Sequence, residues 1–243
     1  MLSSSTIEAV DRYWSSSLGC LRESLYARQT IVLPDAGSSD CHGIYCFLRN
    51  ETLIVTVSAN LVDVFRGRAT TCSVTDMLDE ERFQRLIDYP IDRIVGPAFI
   101  GYTDRTVFRP VYDQEVRLLN SKDIQALEAL RGACSAVEWE HGGSKIEDLP
   151  VVGRFAEGQI VAVAGYKIWG GAIAHISVVC HPLYRNRGYG RAVVSRLADE
   201  VMNRGLVAQY QTLEANLGSM AVGRALGFER YATTVAVQLK PPR

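Results

Sequence analysis

Long apolar runs are missing from this 243-residue chain. None approaches the roughly 18 residues that a membrane-spanning helix needs, so no membrane partner is expected. An excess of charge of either sign is missing too: 26 Lys and Arg stand against 27 Asp and Glu, a formal net charge of −1. That balance gives no reason to expect non-specific binding to nucleic acid or to an anionic surface, although it leaves room for a local basic patch. The opening "MLSSSTIEAVDRYW" lacks a basic segment followed by an apolar one, so no secretory signal is expected and the expected location is the cytoplasm. The six cysteines form no CxxC pair, and their spacing suggests neither a disulfide framework nor a zinc ribbon. In "CHGIYC", Cys41, His42 and Cys46 resemble a ligand set, but buried free thiols are the better reading and no metal is expected. No repeat or low-complexity tract is present.

The chain is long enough for one large domain or two small ones. The first 108 residues read as mixed α and β. A helix is expected from Ser5, with Ser5 and Glu8 as a capping box and Ile7, Val10, Trp14 and Leu18 as its apolar face. "IYCFLRNETLIVTV" reads as a hairpin turning at Arg49-Asn50-Glu51. "SANLVDVFRG" reads as a short helix stopped at Gly67, and "TDMLDEERFQRLI" as another with acidic first turns. "DRIVGPAFIGYTD" reads as a strand and then a loop. Turn-forming residues gather over 101–113, which sets a boundary between segments 1–108 and 113–243. After it the expected order is a strand "EVRLL", a helix capped by Ser121, a hairpin at Glu157-Gly158, a strand "AIAHISVVC", a helix, a strand "LVAQYQTLEAN", a short helix to Gly227 and a last strand. The fold class is therefore α/β, with a mixed α+β sheet.

The most informative stretch is "HPLYRNRGYGRAVVSRLADEVMNRG", from His181 to Gly205. A helix is expected from Gly190, with Val193, Val194, Leu197, Ala198, Val201 and Met202 on one face and Gly205 just past its end. The first N–H groups of a helix have no internal acceptor and carry partial positive charge. Gly188 and Gly190 leave an approaching ligand unobstructed, and Arg185, Arg187 and Arg191 add full charges. Together these describe an anion cradle, most naturally for phosphate. The competing reading is a plain strand-to-helix turn with solvated arginines. RNA binding is a weaker reading, because only Tyr184 and Tyr189 accompany the arginines. A dinucleotide-binding turn is disfavoured by the missing first glycine of G-x-G-x-x-G.

The R-x-x-G-x-G turn between an apolar strand and a helix resembles the acetyl-CoA-binding motif of the GNAT family of N-acetyltransferases. Downstream, "NLGSMAVGRALGF" resembles that family's second signature, and the order of elements over residues 113–240 is similar to its fold. The resemblance implies a GNAT domain over 113–243, preceded by a smaller mixed domain. That first domain would be a degenerate second copy, a substrate-selecting cover or a homodimer surface. It also implies an acetyl-CoA-dependent transfer to a primary amine of a small molecule or peptide, by direct attack. A non-catalytic acyl-CoA sensor is the alternative. In the implied site, Val178, Val179 and Cys180 pair with the pantetheine through their backbone. The amides of Arg185, Asn186, Arg187, Gly188, Tyr189, Gly190 and Arg191 hold the diphosphate. Asn216 and Ser219 lie beside the pantetheine, and the Val179 N–H meets the oxyanion, a contribution of roughly 3 kcal/mol.

The pattern also departs from the family. The tyrosine that protonates the departing thiolate in many members is replaced at the matching position by Gly223. Where many relatives carry a Glu early in the fourth strand, "AIAHISVV" has no carboxylate. An amine near pKa 10.4 must shed its proton before attack, at a cost of roughly 4–5 kcal/mol at neutral pH. The candidates for that work are His175, the cluster Glu138, Glu140 and His141 in "EWEHGG", and Glu214. Of these, Glu140 and His175 are the favoured catalytic pair, although a core histidine bonded to backbone and a solvated helix end remain open readings.

Overall fold

The computed structural model describes residues 1–35, 43–69, 79–86, 89–146 and 150–240. Cys41 and His42 lie outside the described residues, so the ligand-like "CHGIYC" set falls partly outside them too. Among the described residues no cluster of His, Cys, Asp or Glu is suited to a metal, and no helix is long and apolar enough to cross a membrane.

The strands form one mixed sheet of ten, in the order β1-β3-β2-β10-β4-β9-β8-β7-β6-β5. They are β1 (Thr30–Pro34), β2 (Gly43–Arg49), β3 (Thr52–Val57), β4 (Ile91–Thr103), β5 (Val116–Leu118), β6 (Val152–Ala156), β7 (Gln159–Trp169), β8 (Ile173–Cys180), β9 (Val207–Leu213) and β10 (Glu229–Leu239). The expectation of a mixed α+β sheet is met. A separate first domain is not clearly drawn, because one sheet runs through the chain. Two compact units can be distinguished, and neither is one continuous segment. The first takes Met1–Thr6, Gly101–Gln211 and Leu217–Glu229. The second takes Ile7–Ile100, Thr212–Asn216 and Arg230–Arg243.

In the second unit, β1 runs parallel to β3, and β2 pairs antiparallel with both β3 and β10. The hairpin turns where expected, with Asn50 at φ 52°. All six residues of β3 are buried, which identifies a strand covered on both faces. Leu53, Val55 and Val57 pack with Phe65 of α2 (Val62–Ala69) and Phe83 of α3 (Glu80–Leu86). On α1 (Ser4–Leu18), Val10, Trp14 and Leu18 are buried, and the Trp14 ring lies 4.6 Å from that of Phe47. Three boundaries differ from expectation. Ser3, not Ser5, caps α1, its Oγ accepting from Thr6 N at 3.2 Å, while Glu8 turns to Arg12 and Arg22. Helix α2 runs through Gly67, because an exposed glycine weakens a helix without stopping it. And β4 continues as one strand through Gly96-Pro97.

A buried ion pair ties this unit together. Arg49 Nη1 lies 3.0 Å from Asp11 Oδ1, and the guanidinium sits between the rings of Tyr26 and Tyr231, at 4.1 and 4.3 Å. Both tyrosine hydroxyls donate to Asp11, at 2.5 and 2.6 Å. The carboxylate is thus satisfied on both oxygens, and the cation faces two π surfaces.

In the first unit, β5, β6, β7 and β8 pair antiparallel in turn, and β8 pairs parallel with β9. The β6–β7 turn has positive φ at Glu157 and Gly158, as a tight hairpin requires. Helix α4 (Ile124–Ala133) follows a single 3₁₀ turn and lays Leu127 and Leu130 on one face of the sheet, against Val163 and Val179. The cap is Asn120 rather than Ser121: it accepts from Lys122 N at 3.0 Å, while Asp123 reaches back to its amide at 2.9 Å. Helix α6 (Tyr189–Asn203) lies on the opposite face and buries Val193, Val194, Leu197 and Val201.

Removing Asp11 strands the Arg49 cation in the core. Asp11→Ala is expected to cost about 3–5 kcal/mol in urea unfolding. A loss under 1 kcal/mol would mean that the ring stacking alone satisfies Arg49.

Candidate active site

The pairing of β8 with β9 stops partway. It runs from Ile173 opposite Val207 to Ile176 opposite Tyr210, and β8 then continues to Cys180. The backbone of the last β8 residues is fixed by β7. His181 N donates to Val161 O at 2.9 Å, and Val179 is in register with Val163. Bonded pairs in an antiparallel ladder recur at every second residue, so Val179 turns both its N–H and its C=O toward β7. The backbone groups of Val178 and Cys180 therefore point to the side that β9 has left. Two contacts agree: Arg185 Nε donates to Cys180 O at 3.3 Å, and Gly142 packs against the Val178 carbonyl, where a Cβ would not fit. This corrects one expectation. The Val179 amide does not face the opening, and those of Val178 and Cys180 do.

Beyond β8 the chain makes a 3₁₀ turn over Pro182–Tyr184 and then the glycine-arginine loop. Asn186 and Gly188 take positive φ, 62° and 82°, and α6 starts at Tyr189 with Gly188 as an N-cap that has no side chain to bond the first amides, while the Gly190 amide bonds the Cys180 thiol. A Cβ built on Gly188 would meet nothing nearer than Arg191 Nη2 at 3.8 Å, so the space at Gly188 is open. One built on Gly190 would stand 3.0 Å from Cys180 Sγ, so this glycine lets the helix start close against β8. The arginines are less solvated than expected. Arg185 Nη2 pairs with Glu138 Oε1 at 2.6 Å, and Arg187 lies over the Tyr184 ring at 5.0 Å. Glu138 belongs to α5 (Ala136–Gly142) and closes a capping box with Ser135. Bonds from Ser135 and the Arg185 guanidinium hold its carboxyl below the usual range. It is thereby occupied structurally and is a poor proton acceptor.

Side chains alternate across β8. Val178 and Cys180 face α6, whereas Val179 packs with Leu127 and Leu130 of α4, and Ser177 contacts Ser144 at 3.3 Å. His175 shares the face of Ser177 and Val179. Its ring stacks on Trp169, with centroids 4.0 Å apart and planes 8° apart, and its Nδ1 lies 2.8 Å from Gln209 Oε1. Burial pulls its pKa down; the Gln209 bond opposes this and the Lys167 charge adds to it. The imidazole is neutral at pH 7. Its partner is a side chain, not the backbone that a core histidine was expected to find.

Among the described residues, the remaining candidates share no hydrogen bond with His175. Glu140 is exposed on α5 and shares no hydrogen bond with His175 among the described residues. His141 is exposed at the end of the same helix. Glu214 is paired with Arg230 in the second unit, to which Asn216 also belongs. Ser219, on α7 (Leu217–Ala225), lies 2.7 Å from the Tyr210 hydroxyl. Burial pushes Tyr210 up to about 12, so it keeps its proton. Gly223 is buried in α7, and its carbonyl accepts from Phe228 N at 3.0 Å. Sequence reasoning missed Gln209, Tyr102 and Trp169. A glutamine amid an apolar strand is a signal only once the strand register sets it beside a histidine.

The model of the acetyltransferase (GNAT) family matches residues 123–228, the stretch that carries β8, the glycine-arginine loop and α6. Residues 123–228 are a GNAT acetyltransferase domain. Among solved structures, a GNAT-family acetyltransferase of Colwellia psychrerythraea matches 99% of this chain and 98% of its own, at 13% identity and a TM-score of 0.54. The likeness in fold therefore extends over the N-terminal residues as well. A GNAT-family protein of Novosphingobium aromaticivorans is 22% identical over 62% of this chain and 67% of its own, with a TM-score of 0.48. The yncA protein of Salmonella typhimurium, solved with its cofactor acetyl-CoA, is 18% identical over 53% of this chain and 94% of its own, with a TM-score of 0.40. No curated protein matches the chain.

Burial drives the Cys180 thiol, beside the start of the GNAT helix α6, up to about 11. Little thiolate is present at pH 7.5, so alkylation of Cys180 by iodoacetamide is expected to be roughly a hundredfold slower than that of an ordinary thiol, and to accelerate as pH rises toward 11. Peptide mapping reads this out. Fast labelling at pH 7.5 would contradict the packing of Gly190 against this sulfur.

Proposed function

We propose that this protein transfers an acetyl group from acetyl-CoA to a primary amine of a small molecule or peptide, by direct attack with both substrates bound. The observation that carries the reading is the opening of β8 from β9 after Ile176, next to a helix start whose N-cap residue, Gly188, has no side chain to bond its first amides. Backbone groups of Val178 and Cys180 are placed to pair with the pantetheine as an added strand would. The amides of Gly188, Tyr189 and Gly190, with those of Arg185, Asn186, Arg187 and Arg191, suit a diphosphate. The amide of Val178 or Cys180 takes the place expected of Val179 as oxyanion donor, a contribution of roughly 3 kcal/mol.

The two faces of β8 divide the labour. Residues that hold the co-substrate lie toward α6. The side chain that removes a proton from the amine, His175, lies on the other face and is neutral when the pH is near 7. With Gly223 at the position of the usual acid and Tyr210 holding its proton, the thiolate leaves without a tyrosine donor. A thiolate is a competent leaving group unaided. Arg185 connects the two sides, because its partner Glu138 caps the helix that carries Glu140.

Calorimetry with acetyl-CoA tests the first half. Binding is expected, with Gly188→Trp abolishing the heat by filling the open space over the amides. No heat and no Tm shift at millimolar acetyl-CoA would sink the reading. Release of free thiol with polyamines, amino acids, peptides and aminoglycosides tests the second half. Binding without turnover on any amine would favour an acyl-CoA sensor.

A further inference from the structure

Three side chains form a continuous line where β8 and β9 are still paired: Tyr102 on β4, Gln209 on β9 and His175 on β8. Gln209 is fully buried, and its amide faces two ways. Its Nε2 donates to the Tyr102 hydroxyl at 3.0 Å, which leaves Oε1 turned to His175 Nδ1 at 2.8 Å. A carbonyl oxygen only accepts, so with Nε2 of Gln209 donating to Tyr102 the proton of the neutral ring is placed on Nδ1. Nε2 is then the atom with the free lone pair. We infer that Gln209, itself fixed by Tyr102, is a positioning residue that holds His175 as the Nδ1–H tautomer and so makes Nε2 the atom that takes the amine proton.

The inference rests on the reading of His175 as the base. Its surroundings are suited to such a device. Lys167, across the β7–β8 pair, is the charge that acts on the ring. From the other elements His175 meets the Trp169 ring and the neutral Gln209–Tyr102 pair, while Glu138 on α5 is engaged by Arg185. A carboxylate in place of Gln209 would orient the ring equally well but would favour its charged form. An amide orients it and leaves it uncharged, so the lone pair is ready at neutral pH.

Two variants and one spectrum decide the matter. Side-chain 15N spectra of the full protein at pH 7.5, assigned with His175→Asn, are expected to give a pyridine-type signal for Nε2 and a pyrrole-type signal for Nδ1. The reverse pattern overturns the inference. In Gln209→Glu the ring pKa rises, so the acidic limb of the kcat/KM profile is expected to move up by about one pH unit. In Gln209→Leu, kcat should fall tenfold or more with little change in KM for acetyl-CoA. An acidic limb that stays in place in Gln209→Glu would reduce Gln209 to a packing residue and overturn the proposal. If no amine is turned over, the proposed function fails by itself. The spectra and the NMR titration of His175 in Gln209→Glu then still judge the tautomer, and an unmoved His175 pKa there overturns it.

Discussion

Parallel strands bond to one another along their whole length unless something stops them, and here the pairing of β8 with β9 ends at Ile176 and Tyr210. Every feature of the candidate site depends on that break. Val178 and Cys180 have backbone groups that β7 cannot use, because the antiparallel register gives β7 those of Val179 instead. Unpaired backbone in an interior is costly unless it finds partners. Part of that cost is offset locally: Arg185 reaches the Cys180 carbonyl, and Gly142 comes close to that of Val178. Among the described residues the Val178 and Cys180 amides have no such cover, and the proposal that they receive an extended ligand rests on this asymmetry.

Helix α6 poses the same question at its start. Its N-cap, Gly188, has no side chain to bond the first amides, and such a cap is ordinarily worth about 1 kcal/mol. The helix is stable without it because it buries Val193, Val194, Leu197 and Val201, each contributing roughly 1.5–3 kcal/mol. Packing exceeds the missing cap several times over, so the fold tolerates a helix start whose N-cap residue supplies no side-chain bond. Gly190 is needed for a different reason than Gly188. The first lets the helix approach Cys180, and the second takes a left-handed conformation and keeps the space above the amides clear.

Much of this was legible in the chain itself. The hairpins at Asn50 and Glu157-Gly158, the apolar face of α6 and the stop at Gly205 are local signals, carried by turn chemistry and by a 3.6-residue period. The loop from Arg185 to Arg191 was legible because glycines and arginines at a helix start have few other uses. What escaped was non-local. Whether Val179 or its neighbours face the opening is decided by register with β7, which no periodicity within β8 reveals. Ser5 and Glu8 matched a capping pattern, yet Ser3 caps α1, because two serines so close together offer the backbone a choice that the rest of the fold decides. The one-sheet architecture was hidden for the same reason: β10, last in the chain, pairs with β2, near its beginning.

The acid–base problem shows most clearly how non-local contacts decide chemistry. By residue type alone, Glu140 and His175 were equal candidates, and an exposed carboxylate is the more familiar base. Burial separates them. Glu140 is exposed on α5 and, among the described residues, has no hydrogen bond that fixes its direction. His175 is stacked on Trp169 and bonded to Gln209, which removes its rotational freedom, while desolvation keeps it uncharged. A base works best when it is both oriented and unprotonated at neutral pH, and the surroundings of His175 favour both conditions.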